Sequence, residues 1–289
     1  MFIIKQSNDL SKYLYQQRAS GNSIGFVPTM GALHRGHISL IRQAKKERTT
    51  TVCSIFVNPT QFNDPKDFEH YPHTIENDIY LLEKENCDVL FLPGVTEIYA
   101  SGTKSLEKYE LGYIETVLEG KYRPGHFQGV CQVIQRLMSM VDPDSLYIGQ
   151  KDYQQCMVIK KLLSFINSKS AVIICPTLRE NDGLAMSSRN MRLNEEERQK
   201  ATGIYKALSY IHQNIKPGLT FPVLEKAREI LITQDLVPDY IEIAAADTLE
   251  PIPDWNGRTN IVALIAAFMG KVRLIDNMIL PLNFANYAN

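Results

Sequence analysis

The sequence predicts an α/β fold: a doubly wound parallel sheet covered by helices on both faces, followed by a smaller α+β domain. Three observations lead there. Apolar runs rich in β-branched and aromatic residues, such as Ile24-Gly25-Phe26-Val27 and Thr51-Val52-Cys53-Ser54-Ile55-Phe56-Val57, alternate with stretches of helical period. Those two runs flank one helix within about thirty residues, the span of a βαβ unit. The alternation then stops near Pro176, where a polar loop begins.

Taken in order, residues 24–27 read as a buried strand, and Ile38, Leu40, Ile41 and Ala44 carry the spacing of the helix that follows. Residues 51–57 form the second strand. A helix over 75–85, a strand over 88–92, a helix over 129–140, a strand over 146–149, a helix over 153–166 and a strand over 171–175 continue the pattern. This winding is Rossmann-like, and such sheets bind ligands at the carboxyl ends of their strands. The interval 93–127, rich in Gly, Tyr, Lys and Glu, has no steady period and is expected to form an interface or a lid.

The loop Arg179-Glu180-Asn181-Asp182-Gly183 marks the boundary between a first domain, residues 1–176, and a C-terminal α+β lid domain, residues 177–289. Asn194 with Glu197 three residues on predicts a capping box opening one helix that runs to about Gln213. A second helix is expected over 221–233. Strands over 240–244, 260–267 and 272–275 close the chain, the last two joined by a turn at Phe268-Met269-Gly270-Lys271.

With 289 residues, 44% hydrophobic and 22% charged, the chain has material for two modest packed domains. Its formal net charge of -1 argues against nucleic acid or an acidic membrane as partner and favours small molecules. Cys53, Cys87, Cys131, Cys156 and Cys175 are widely spaced with no CxxC pair, so buried free thiols are expected rather than disulfides or a thiolate zinc site. The first residues carry no charged leader with a long apolar core, and no stretch approaches the ~20 apolar residues of a membrane span. A cytoplasmic protein is the expectation.

The chemistry gathers at Pro28-Thr29-Met30-Gly31-Ala32-Leu33-His34-Arg35-Gly36-His37, a strand-to-helix turn. Such a turn places backbone N–H groups and a helix dipole where an anion can sit, and two imidazoles three residues apart share the spot. The pair could be structural. A metal site would need a third ligand and usually HExxH spacing. Phosphate contact fits best, because imidazole N–H groups can follow phosphate charge in a transition state. Gly31 and Gly36 match the start of a Walker A loop, but His37-Ile38 stands where Lys-Ser/Thr is required, and no GxGxxG follows the strand.

Lys151 and Asp152 follow Gly149 after the fourth strand, where a lysine can neutralise phosphate and a carboxylate can accept from ribose; a solvated Lys-Asp pair is the plain alternative. Met186-Ser187-Ser188-Arg189-Asn190 offers two hydroxyls, a guanidinium and an amide to a polyphosphate, or simply caps a helix. Asn58-Pro59-Thr60-Gln61-Phe62 follows the second strand, and Gln154 and Gln155 open a helix. Taken singly, Gln61 and Gln155 read as surface residues.

Together these stretches resemble the pantoate–β-alanine ligase family. The matching residues are Pro28 to His37, Ser54-Ile55-Phe56-Val57-Asn58-Pro59-Thr60-Gln61-Phe62, Arg123-Pro124-Gly125-His126-Phe127, Gly149-Gln150-Lys151-Asp152-Tyr153-Gln154-Gln155, Met186 to Asn190, and Leu274-Ile275-Asp276-Asn277. They run in family order along nearly the whole chain. His34-Arg35-Gly36-His37 is similar to the HxGH signature of the wider nucleotidylyl transferase superfamily.

The resemblance implies ATP-dependent condensation of (R)-pantoate with β-alanine to pantothenate, AMP and pyrophosphate through pantoyl adenylate. It implies catalytic roles for His37, His34 and Lys151. ATP would be held by Met30, Gly31, Ala32, Leu33, His34, His37, Gly149, Lys151, Asp152, Leu178, Met186, Ser187, Ser188 and Arg189. Pantoate and β-alanine would be held by Met30, Asn58, Gln61, Tyr71 and Gln155. It also implies Mg²⁺ accompanying ATP, no protein-held metal, and a homodimer. Gln150 stands where the family usually has Glu, keeping hydrogen bonding but losing a charge beside Lys151, and Ala245 replaces a common acidic residue. A nucleotidyltransferase that stops at an adenylated product and a non-catalytic nucleotide binder are the competing readings. Intact His34, His37, Lys151 and Arg189 count against the second.

Overall fold

In the computed structural model, which describes residues 1–62, 68–103 and 106–280, the chain divides into two compact units, Met1–Thr177 and Leu178–Asn289. Six strands make the sheet of the first unit: β1 (Phe2–Ile4), β2 (Ile24–Thr29), β3 (Thr50–Ile55), β4 (Val89–Phe91), β5 (Ser145–Gly149) and β6 (Ala171–Cys175), in the order β1-β4-β3-β2-β5-β6. All neighbouring pairs are parallel. Between them lie helices α1 (Ser7–Ala19), α2 (Arg35–Glu47), α3 (Ile75–Lys84), α4 (Val95–Ile98), α5 (Glu119–Tyr122), α6 (His126–Val141) and α7 (Tyr153–Phe165).

Side chains alternate across a strand, so each strand feeds both faces of the sheet. Phe26, Val52, Leu146 and Ile148 pack with Leu10 and Leu14 of α1, Phe127 and Leu137 of α6, and Ile159 of α7. Their neighbours Val27, Cys53, Leu90 and Tyr147 pack on the other face with Ile41 and Ala44 of α2 and Leu82 of α3. Each large apolar side chain buried this way contributes roughly 1.5–3 kcal/mol. The doubly covered parallel sheet expected from the alternation is therefore present. All five cysteines are free and buried, and no helix among the described residues is long and apolar enough to cross a membrane.

The sequence reading missed the N-terminal pair β1 and α1, the short helices α4 and α5, and the two-residue strands Gly218–Leu219 and Asp254–Trp255. Edge strand β1 is three residues long, and α1 buries only Leu10 and Leu14. The N-cap residue Gln6 makes no side-chain cap, and the first turn is instead closed by Glu97, whose Oε1 accepts from Ser7 N at 2.8 Å. A cap supplied ninety residues away leaves no local signal.

The interval 93–127 is fastened to the unit by amide side chains; residues 104 and 105 of it lie outside the described residues. Tyr109 N donates to Gln128 Oε1 at 3.0 Å, and Gln128 Nε2 donates back to Tyr109 O at 2.9 Å. Gln154 Nε2 donates to the carbonyls of Ile114 and Val117, and its Oε1 accepts from Glu119 N.

The second unit carries β7 (Gly218–Leu219), β8 (Leu236–Ala245), β9 (Asp254–Trp255), β10 (Ile261–Met269) and β11 (Val272–Leu280). The order β11-β10-β8 makes one antiparallel sheet, and β7 pairs with β9. Ile241, Ile243, Ile261, Ala263 and Ile265 share a core with the helices α9 (Gly203–Asn214) and α10 (Phe221–Ile232).

The expected long helix after Asn194 is two helices, α8 (Glu195–Lys200) and α9. The Asn194–Glu197 capping box is present. The break falls at Ala201 and Thr202, where Thr202 N and Ile204 N reach back only three residues, to Gln199 O and Ala201 O. Strand β8 begins at Leu236 rather than near residue 240, because Pro238 sits at a register shift on an edge strand, where its missing N–H costs nothing. The hairpin turn narrows to Gly270-Lys271, with Met269 opposite Val272 and Gly270 at φ 55.

Candidate active site

The chain runs from β2 to β3 and β4 on one side and returns to β5 and β6 on the other, so strand order reverses between β2 and β5. Ligands of doubly wound sheets bind at this reversal, outside the carboxyl ends of the strands. A local feature opens the sheet there. The β2–β3 ladder runs to Thr29↔Ile55 and the β5–β6 ladder to Gly149↔Cys175, but β2 and β5 pair only at Gly25↔Ser145 and Phe26↔Leu146. Successive residues of a parallel strand address opposite neighbours. Ile24 O bonds Asp144 N on the β5 side, and Thr29 O bonds Phe56 N on the β3 side. Pro28 therefore faces β5, with no N–H to give.

His34 and His37 stand where β2 feeds α2. His34 is the N-cap of α2, its Nδ1 accepting from Gly36 N at 3.1 Å, while His37 Nδ1 accepts from His34 N at 3.3 Å. The two imidazoles thus form a reciprocal cap of the kind usually made by Ser or Thr with Glu. Because each Nδ1 accepts, the hydrogen-bond network assigns the ring proton to Nε2 in both. The rings lie 4.0 Å apart between centroids and offer two N–H donors.

Burial holds His34 down at about 3, helped by His37 and Lys151 and opposed by Asp152; burial and then Lys151 hold His37 down at about 4. Both stay neutral at physiological pH, and Lys151, from the turn after β5, is close enough to act on both. Unfolded imidazoles take up protons from about 6.5 downward. Between that value and about 4 the unfolded chain binds more protons, so these groups lower stability as pH falls through the window. Nitrogen-15 NMR at about pH 6 should show both rings as neutral Nε2–H tautomers. Midpoints at ordinary histidine values for both rings would contradict the assignment.

The sequence suggested free backbone N–H groups in this turn, and here the structure differs. Asp78 of α3, only 1% exposed, accepts from Ala32 N at 2.9 Å and Leu33 N at 2.8 Å, with Thr74 Oγ1 at 3.0 Å. Gly31 N is taken by Thr29 Oγ1 at 3.2 Å. The amides of residues 31–33 are thus engaged within the protein, and the imidazole N–H groups stand beside them as side-chain donors. Gly31 and Ala32 hold positive φ, 81° and 49°, and a Cβ on Gly31 would stand 3.1 Å from Asp78 Oδ2. Asp78 was not found from sequence; its only local mark is an acidic residue in the first turn of a helix.

Gln61 is buried rather than a surface residue, and its amide is fully specified. Its Nε2 donates to Met30 Sδ at 2.8 Å, and its Oε1 accepts from Asn58 Nδ2 at 3.2 Å. The other Asn58 amide hydrogen goes to Gly129 O at 3.1 Å, and Asn58 Oδ1 accepts from Tyr99 OH at 2.7 Å. This leaves Asn58 no amide hydrogen for a ligand. Gly129, also missed from sequence, is required by packing, since a Cβ there would meet Thr60 O at 2.3 Å. Tyr71 is buried with its ring 5.8 Å from that of Phe62. Gln155, half-buried in the first turn of α7, makes no side-chain hydrogen bond among the described residues.

Gly149 ends β5, and Gln150, Lys151 and Asp152 form the 3-10 turn into α7. Lys151 Nζ lies 3.9 Å from Asp152 Oδ1, with side-chain exposures of 17% and 48%. Asp152 is the N-cap of α7 but makes no side-chain cap, so its carboxylate is not consumed by the helix. The remaining expected residues belong to the second unit. There Met186 N bonds Leu178 O at 3.1 Å, Ser187 Oγ caps a 3-10 turn over Ser188–Arg192 by accepting from Arg189 N, and Asn190 Nδ2 donates to Ala185 O at 3.0 Å. No group of three or more His, Cys, Asp or Glu among the described residues could hold a metal ion.

Residues 2–279 match the family model described as pantoate-beta-alanine ligase. A pantothenate synthetase from Cytophaga hutchinsonii is 46% identical over 285 residues, spanning 98% of this chain and 100% of that protein. One from Porphyromonas gingivalis is 41% identical over 280 residues, 96% of this chain and 99% of that protein. Among solved structures, the pantothenate synthetase of Thermus thermophilus superimposes with a TM-score of 0.88 at 38% identity, covering 96% of this chain and 99% of that one. The Francisella tularensis pantoate-beta-alanine ligase, solved with beta-gamma ATP and beta-alanine, gives 0.81 at 37% identity, covering 96% and 97%.

Proposed function

The chain belongs to the pantoate–β-alanine ligase family, and from that premise we propose that it works through an acyl adenylate formed where β2 and β5 part. It is an ATP-dependent ligase that condenses pantoate with β-alanine to pantothenate. The observation that carries the adenylate reading is the convergence of two neutral imidazoles and one lysine on the strand-order reversal.

A carboxylate cannot expel oxide, so the acid must first gain a leaving group. In the first step a pantoate carboxylate oxygen bonds to the α-phosphorus of ATP, and the bond to the bridging oxygen breaks with its electron pair leaving on pyrophosphate. Negative charge shifts onto phosphate oxygens as this happens, and preorganised donors stabilise it. The Nε2–H groups of His34 and His37 suit that task because both rings are neutral and held by backbone contacts. Lys151 supplies the positive charge. In the second step the β-alanine nitrogen bonds to the acyl carbon, AMP leaves with the electron pair, and the amine proton passes to solvent.

Met30 and Gln61 meet at the pantoate end. A thioether is a weak acceptor, so a pantoate oxygen replaces the Gln61–Met30 contact with a stronger one, while the methionine body remains for the dimethyl group. Gln155 supplies a second amide, and Asn58 acts through Gln61. Tyr71 lines the acid and amine end. By the family resemblance, Asp152 and Gly149 face ribose, residues 30–33 and Leu178 line the nucleotide, and Met186, Ser187, Ser188 and Arg189 carry polyphosphate contacts.

Mg²⁺ accompanies ATP in this reading. Such an ion would be held mainly by phosphates and water, with Asp152 as the nearby carboxylate. Bound there, it would neutralise phosphate charge. Five buried free thiols suit a reducing cytoplasm, and the family resemblance carries over a homodimer.

Incubation with ATP, Mg²⁺, pantoate and β-alanine, each omitted in turn, tests the route. Pyrophosphate release should require pantoate alone, and sustained AMP formation should require β-alanine as well. ADP as the nucleotide product would overturn the adenylate.

A further inference from the structure

The stretch Arg123-Pro124-Gly125-His126-Phe127 has no part in the chemistry above, yet it is built against it. His126 opens α6 and is buried, its Nδ1 2.8 Å from the carbonyl oxygen of Gln61 and its Nε2 3.2 Å from Arg123 Nη1. A carbonyl can only accept and a guanidinium can only donate. The ring proton is therefore on Nδ1, the opposite tautomer to that of His34 and His37, and Nε2 accepts from Arg123. Gly125, at φ 80, turns the chain so that the ring enters this position.

Gly129 stands on the same face of α6, three residues on. Its carbonyl accepts from the Asn58 amide that also donates to Gln61 Oε1, and an added Cβ would lie 2.7 Å from Gln61 Cα. The first turn of α6 thus grips Gln61 twice, by its main chain through His126 and by its side chain through Asn58.

We propose that His126 is a positioning residue for the acid substrate: its Nδ1–H, oriented by Arg123, fixes the Gln61 carbonyl and so aims the Gln61 amide at pantoate. This rests on the reading that Gln61 binds pantoate. Burial and the Arg123 charge hold the imidazole down at about 4, which keeps the required neutral form.

Isosteric replacements separate this role from a merely structural one. An Asn side chain places its amide hydrogens near the Nδ1 position, whereas Gln places them near Nε2. His126→Gln should raise the pantoate KM about 10-fold, the scale of one lost hydrogen bond, and leave the ATP KM within about twofold. His126→Asn should keep the pantoate KM within about threefold of the parent. In a Gln61→Ala background the effect of His126→Gln should vanish, because the pair acts in series. Equal pantoate KM values for the His126→Asn and His126→Gln variants, or a matching rise in the ATP KM, would overturn the inference while Gln61→Ala still impaired pantoate binding. An unchanged pantoate KM in Gln61→Ala would instead remove pantoate from Gln61, and this inference with it.

Discussion

Replacing His37 by alanine should slow pantoate-dependent pyrophosphate release by about 10²-fold or more in a single turnover with saturating substrates, the usual scale for a lost transition-state donor. The tautomer is the physical reason. His37 Nδ1 is occupied by His34 N, which leaves Nε2–H as the donor. His37→Gln, whose amide reaches near the Nε2 position, should therefore retain more of the rate than His37→Asn. The change to alanine also removes half of the reciprocal cap on α2, and a lost cap costs about 0.5–2 kcal/mol of stability. The two effects are separable, because the stability loss is read in urea and the rate loss in the folded variant. An unchanged adenylation rate in folded protein would remove His37 from the mechanism.

Asp78→Ala should produce the largest loss of stability among the site variants, roughly 2–4 kcal/mol in urea denaturation, together with a severe loss of adenylation. The carboxylate is the partner of two buried amides, and each amide left unsatisfied costs about 1–3 kcal/mol. It also restrains the turn at Gly31 and Ala32, where a non-glycine residue at positive φ already costs about 1–2 kcal/mol. With the carboxylate gone that turn relaxes, and His34 and His37 follow it because they begin at its end. Asp78→Asn should fall between the parent and Asp78→Ala, since its amide presents one oxygen and one NH₂ to two N–H donors. A stability equal to the parent in Asp78→Ala would show that the turn holds itself.

Much of this molecule could be read from residues close together in the chain. Strands β2, β3, β5 and β6 announce themselves by short continuous apolar runs, and α2, α3 and α7 by apolar residues spaced three to four apart, because both signals are local in the chain. Elements that drew their closure from afar were silent, as with α1 capped by Glu97. The long helix expected after Asn194 broke at Thr202 although its opening capping box formed as its spacing required.

The same division runs through the site. Sequence by itself determined the sheet type and the strand-to-helix turn with His34 and His37. Each follows from periodicity or from a short motif, whose geometry is local. Only the tertiary structure decided which amides of that turn are engaged, and how Gln61 is held. Asp78 reaches Ala32 across 46 residues, and His126 reaches Gln61 across 65. A hydrogen bond between groups so far apart in the chain exists only once the intervening strands and helices have packed, so no local pattern announces it.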